Sequence, residues 1–144
     1  MLIFEQYIHS NYDAVDRIVE EILIKIKHKF QFMSERYLFN INFMLREILN
    51  NAVEHGNHFD SDKRVYCKVD YDVPYLIFII KDEGKGINLM NLPTESHDPK
   101  NLLRERQRGH KTILDMDFDI KIQGSQVKII LNFNQEVIQW KNNY

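Results

Sequence analysis

Residues 75–80 read Tyr-Leu-Ile-Phe-Ile-Ile, an unbroken apolar run. A run of this length bounded by turn residues predicts a buried strand, central in its sheet and covered on one face by helices. The chain then turns polar at Asp82-Glu83-Gly84-Lys85-Gly86-Ile87. A carboxylate thus stands at the end of a buried strand, just before two glycines. Such a group can accept a hydrogen bond from an exocyclic amine such as adenine N6, and the glycines let backbone approach a flat base and its ribose. A tight turn accounts for the same letters equally well. The third glycine of a dinucleotide fingerprint is absent.

The elements around this strand are legible from periodicity. Residues 2–9 suit a first strand. Ser10 and Asp13 resemble a capping pair, and Val15, Ile18, Val19, Ile22, Leu23 and Ile26 follow at helical spacing. Ser34 is an expected N-cap for a second long helix, with Leu38, Ile41, Leu45, Ile48 and Ala52 as its apolar stripe. Gly56 is its expected stop, in a left-handed conformation. Val65, Cys67, Val69 and Tyr71 alternate with polar neighbours as a half-buried strand, and Asp72-Val73-Pro74 reads as a turn. Residues 87–106 are polar and irregular, a connection long enough to expect function in it. A short helix is expected over 107–116. A hairpin follows, turning at Gly124-Ser125 between Ile120-Lys121-Ile122 and the alternating Val127, Ile129, Leu131 and Phe133. The tail 134–144 suits one or two helical turns. Helices on one face of a mostly antiparallel, mixed sheet make this an α+β two-layer sandwich.

With 144 residues the expectation is one domain, residues 1–144. The net charge of −2 gives no footprint for direct nucleic-acid binding. The basic segment Lys100, Arg104, Arg106, Arg108 and Lys111 is diluted by Glu95, Asp98 and Glu105 and carries no stacking rings. No basic stretch precedes a long apolar run at the N-terminus, and no segment nears the ~20 apolar residues that span a bilayer, so no membrane association is expected. A lone Cys67 in a strand pattern is read as a buried structural thiol of a cytoplasmic protein.

The second helix ends in Glu47-Ile48-Leu49-Asn50-Asn51-Ala52-Val53-Glu54-His55-Gly56-Asn57. Glu47 and Asn51 lie one turn apart on one helix face. Asn51 can offer a carbonyl oxygen to Mg²⁺ without adding charge, and Mg²⁺ fills its octahedron with water and phosphate oxygens. Glu47 can orient and deprotonate a hydroxyl. An ordinary solvated helix face is the plainer reading of the pair taken alone. His55 and His58 have a spacing poorly suited to sharing one zinc ion.

In order and spacing the two runs resemble the GHKL superfamily of ATPases, named for gyrase, a heat-shock chaperone, histidine kinases and a mismatch-repair protein. Glu47, Asn51, Ala52 and His55 match its N box, Glu-x-x-x-Asn-Ala-x-x-His; Asp82, Gly84 and Gly86 match its first glycine box, Asp-x-Gly-x-Gly. Gly124-Ser125 resembles the Gly-Thr that lies near the phosphates in many members. Within the superfamily the chain looks most like small bacterial anti-sigma factor serine/threonine kinases, through its His-Gly phrase and through Arg108-Gly109-His110-Lys111-Thr112-Ile113-Leu114.

That resemblance implies the Bergerat ATP-binding fold, with ATP and Mg²⁺ as ligands. It implies Asn51 on the metal, Glu47 as general base and Asp82 on adenine. His55 and Ile87 would border the nucleotide, and Gly84, Gly86 and Gly109 would pass close to it. Residues 88–108 would form a lid, with Arg104, Arg106 or Arg108 near phosphate and Lys111 and Ser125 close by. It implies an anti-anti-sigma (STAS-type) protein as substrate, a sigma factor as a second partner and a homodimer. The second glycine box departs from the pattern: Gln107 replaces its first glycine, and His110 and Lys111 occupy positions usually apolar. The departure leaves open a non-catalytic ATP-binding or sequestering module of the same fold.

Overall fold

The computed structural model describes residues 1–85, 116 and 118–133. Within them the chain runs β1 (Leu2–His9), α1 (Tyr12–Lys29), α2 (Glu35–Asn51), a π-helical turn (Ala52–Gly56), β2 (Arg64–Asp72), β3 (Tyr75–Lys81), β4 (Asp119–Gln123) and β5 (Gln126–Asn132). The five strands lie in the order β1-β2-β3-β5-β4, and every pairing is antiparallel. The apolar run 75–80 is the middle strand, as its composition requires. The architecture is the expected α+β arrangement. The expected short helix over 107–116 and the tail 134–144 lie outside the described residues, apart from Met116.

Strand alternation sends one set of side chains toward the helices. Phe4, Ile8, Val65, Cys67, Val69, Leu76, Phe78, Ile80, Ile129 and Leu131 are all buried there. Against them α1 turns Val15, Ile18, Val19, Ile22 and Ile26, and α2 turns Ile41, Met44, Leu45, Ile48 and Leu49. Aromatic rings close one end of this core: Phe30 meets Tyr71 and Phe133 edge-on, with ring centroids 4.8 and 5.1 Å apart. Such pairs add roughly 0.5–1.5 kcal/mol each beyond area burial.

The caps show where local signals competed. Ser34 caps α2 as expected, its hydroxyl accepting from the Tyr37 N–H at 3.2 Å. The cap of α1 is Asn11, not Ser10; its Oδ1 accepts from the Ala14 N–H at 2.8 Å. The Ser10 hydroxyl is used elsewhere, donating to the Lys63 carbonyl at 2.7 Å. Among the described residues, no helix is long and apolar enough to cross a membrane.

Cys67 is fully buried in β2, and burial pushes its thiol from 9.0 up to about 12. A folded-state value above the unfolded one gives stability that is complete below pH 9 and is lost as pH rises from there toward 12. A chromogenic disulfide reagent should therefore leave the folded protein unmodified near neutral pH and titrate one thiol in denaturant. Rapid modification of the folded protein would show that the thiol is reachable.

Candidate functional site

α2 does not end in a simple glycine stop. After Asn51 its hydrogen bonding widens into a π-helical turn, Ala52–Gly56, and the Asn57 N–H closes it onto the Ala52 carbonyl at 2.8 Å. Single π turns inside helices recur at functional sites. Gly56 is not left-handed as the sequence suggests; His58 and Phe59 carry the positive φ values instead, 51° and 57°. What Gly56 supplies is room. A Cβ placed on it would lie 2.3 Å from the Asp82 carboxyl carbon and from one carboxylate oxygen. Likewise a Cβ on Gly84 would lie 2.4 Å from the Gly56 carbonyl oxygen. The end of the Glu47–Asn57 run and the Asp82–Gly84 turn therefore meet backbone to backbone, with the Asp82 carboxylate in the contact.

Asp82 shares the face of Phe78 and Ile80, so it points to the helix side, and it is buried at 8% exposure. Its Oδ1 accepts from the Gly84 N–H at 2.8 Å, and its own N–H donates to the Ser125 carbonyl at 3.2 Å. The hairpin turn carrying Ser125 is thereby brought to the same corner. Gly124 supplies that turn's left-handed residue, with φ 60°.

Asn57 joins the pieces, and it carries no motif signature. Fully buried, it donates from Nδ2 to the Ser10 hydroxyl at 2.9 Å and to the Arg64 carbonyl at 3.0 Å. Its Oδ1 accepts from the Glu83 N–H at 2.7 Å. One side chain thus ties the end of β1, the start of β2 and the turn after β3 to the end of α2. The Glu83 carboxylate adds a second tie by accepting from the Arg64 N–H.

Glu47 and Asn51 are half-buried one turn apart on α2. Beside Asn51, the Oδ1 of Asn50 is buried with no hydrogen-bond donor. His55 is exposed, its Nε2 4.0 Å from a Glu54 carboxylate oxygen; the other Glu54 oxygen accepts from the Tyr12 hydroxyl at 3.0 Å. Gly86, Ile87, Arg104, Arg106, Arg108, Gly109 and Lys111, together with the expected lid 88–108, lie outside the described residues. The structure thus brings Gly56, Asp82, Gly84 and Ser125 to one corner, at the end of the turn that follows Asn51. Among the described residues no group of three or more His, Cys, Asp or Glu side chains is placed to hold a metal ion. The donor chemistry at Glu47 and Asn51 fits Mg²⁺, which needs one or two hard protein oxygens when phosphate supplies others.

An apolar strand thus ends in a buried carboxylate, locked by glycines against the end of the helix that carries Glu47 and Asn51. The profile of the histidine kinase-like ATPase domain matches residues 11–128, and the chain belongs to that family. It is a GHKL-type ATP-binding domain. No curated protein matches it in sequence. A solved structure similar to it is the histidine kinase domain from the Erythrobacter litoralis EL346 blue-light activated histidine kinase, at 13% identity and a TM-score of 0.49. That likeness covers 86% of this chain and 64% of the kinase chain.

The contact at Gly56 is the feature most open to substitution. Gly56→Ala should force the Asp82 carboxylate out of place, costing on the order of 1–3 kcal/mol as overpacking does, and should abolish measurable ATP binding. Gly124→Ala meets nothing within 4 Å. It should cost only the roughly 1–2 kcal/mol of a left-handed alanine and keep ATP binding. Thermal melts and calorimetric titration read both, and equal behaviour of the two variants would contradict the packing role.

Proposed function

We propose that this protein is a Mg·ATP-dependent serine/threonine protein kinase of the anti-sigma factor type. The observation that supports the reading best is the seating of Asp82 against the helix end that begins at Asn51, with Gly56 and Gly84 reduced to hydrogen at the contact. In this reading the carboxylate would read the base and the helix end would face the phosphates.

In this reading Asp82 accepts from the adenine amine, while Gly84 keeps the adjoining backbone free of a side chain. Ser125 stands beside Asp82. Asn51 would offer its amide oxygen to Mg²⁺, which would supply charge neutralisation at the phosphates. Glu47 orients the acceptor hydroxyl. The hydroxyl oxygen bonds to the γ-phosphorus as the bond from phosphorus to the β–γ bridging oxygen breaks. ADP leaves, and the hydroxyl proton passes to the Glu47 carboxylate. Arg104, Arg106, Arg108 and Lys111 would carry charge on the transferred group, arginine by its two-pronged fork. The acceptor is a serine or threonine of a STAS-type anti-anti-sigma protein. The kinase, as a homodimer in the cytoplasm, would also hold a sigma factor in competition with that substrate.

Two variants separate the roles. Glu47→Ala should bind ATP nearly as well as the parent while transferring phosphate about 10²–10⁴-fold more slowly. Radiolabel transfer to STAS-type candidates reads this, and an equally active variant would remove Glu47 from the chemistry. ATP binding by the parent with no transfer to any such candidate would favour the sequestering module. Asp82→Ala should weaken ATP by on the order of 1–3 kcal/mol, the cost of leaving a donor unpaired, and should erase preference for ATP over GTP. An unchanged ATP preference would assign base reading to another group.

A further inference from the structure

The sheet face turned away from the helices carries a band of cations. Cross-strand pairing sets Glu5 of β1 opposite Lys68 of β2, Lys68 opposite Ile79 of β3, Ile79 opposite Lys128 of β5, and Lys128 opposite Lys121 of β4. One residue row further along, Tyr7, Tyr66, Lys81 and Gln126 are aligned in the same way. Partners across an antiparallel sheet share a face, and the helix-side residues of these strands are the buried ones. Four lysines therefore stand together on the open face, beside the half-buried Ile77, Ile79 and Ile130.

Among the described residues none of these lysines has an ion-pair partner. Glu5, directly across from Lys68, has its carboxylate engaged by the Tyr66 hydroxyl. That bond, with burial and the Glu5 charge behind it, lifts the Tyr66 phenol to about 12, so it stays a neutral donor. Tyr7 leans on Tyr66 at a centroid distance of 5.0 Å and is 69% exposed. The same end of the face holds a cleft of about 640 Å³, where Tyr66, Lys68 and Lys81 stand together with the acids Asp62, Asp82 and Glu83.

We propose that this face docks an acidic segment of a partner protein, an extended stretch with aspartate or glutamate on alternate residues. Strand spacing of ~4.8 Å spreads Lys68, Lys128 and Lys121 over roughly 14 Å, too far for one small anion, while an extended chain offers same-side carboxylates every ~6.7 Å. The isoleucines and Tyr7 give such a segment apolar contact that a phosphate backbone cannot use. Glu5 at one edge and Asp119 and Asp62 elsewhere on the rim would repel a continuous polyanion, whereas discrete carboxylates fit between them. A second copy of this chain would set the lysine band against itself, and like charges in register cost binding energy. The cleft reaches Asp82, while Lys121 and Lys128 lie outside its lining.

The probe is a fluorescent peptide of about twelve residues alternating Asp or Glu with Val or Thr, paired with its Asn/Gln counterpart. Anisotropy titration of the full chain should show the acidic peptide bound at least about tenfold more tightly than the neutral one, with affinity falling as salt screens the charges. The double variant Lys68→Glu, Lys128→Glu should lose about tenfold or more in peptide affinity, with ATP binding and circular dichroism unchanged. Should that variant fail to fold, Lys121→Ala with Lys128→Ala takes its place, read by amide shifts at Lys68 and Ile79. The proposal is overturned by absent binding, by equal binding of both peptides, or by indifference to the lysine changes. It is also overturned if the lysine changes turn a dimer into a monomer in sedimentation, or if a short DNA duplex displaces the peptide.

Discussion

The contact of Gly56 with Asp82, locked from behind by Asn57, is the interaction on which the rest of the site depends. A buried amide left unpaired costs on the order of 1–3 kcal/mol, so Asn57 is committed to its partners on Ser10, Arg64 and Glu83. Those bonds draw the turn after β3 toward the end of α2. The two glycines then set how close it can come. With any side chain at either position the carboxylate would stand elsewhere, and an acid at the end of a buried strand would lose its alignment with the helix that carries Glu47 and Asn51.

This arrangement divides the sheet by face. The helix side is filled with Val, Ile, Leu and Phe and ends in Asp82, so an ionisable group sits where the apolar strand stops. The other side carries lysines and tyrosines that are exposed or half-buried. A single strand supplies both: β3 gives Phe78, Ile80 and then Asp82 to one face, Ile79 and Lys81 to the other. Period-two geometry makes that division unavoidable once the register is fixed.

Much of the fold could be read from local pattern. The six apolar residues at 75–80 announce the middle strand, burying Leu76, Phe78 and Ile80 on one face and half-burying Ile77 and Ile79 on the other, and the stripe from Leu38 to Ala52 gives α2 its buried face. The acid at 82 was legible because it follows that strand directly. Other features were not local. Asn57 looks like one more turn residue in Gly-Asn-His, and its partners are 47, 7 and 26 residues away. Gly56 reads naturally as a left-handed stop, since the neighbour that excludes a Cβ, Asp82, is invisible along the chain. Ser10 and Asn11 are both competent caps, and only the Lys63 carbonyl, arriving with β2, decides between them.

The central claim is that adenine nucleotide enters at the corner where α2 ends against Asp82. Amide-resolved NMR titration with Mg·ATP tests it most directly. The account predicts the largest shift changes at Asn51, Gly56, Asp82, Gly84 and Ser125, with Tyr66, Lys68 and Lys128 on the open face nearly still. Changes concentrated on the open face, with the Gly56–Gly84 corner unmoved, would contradict it.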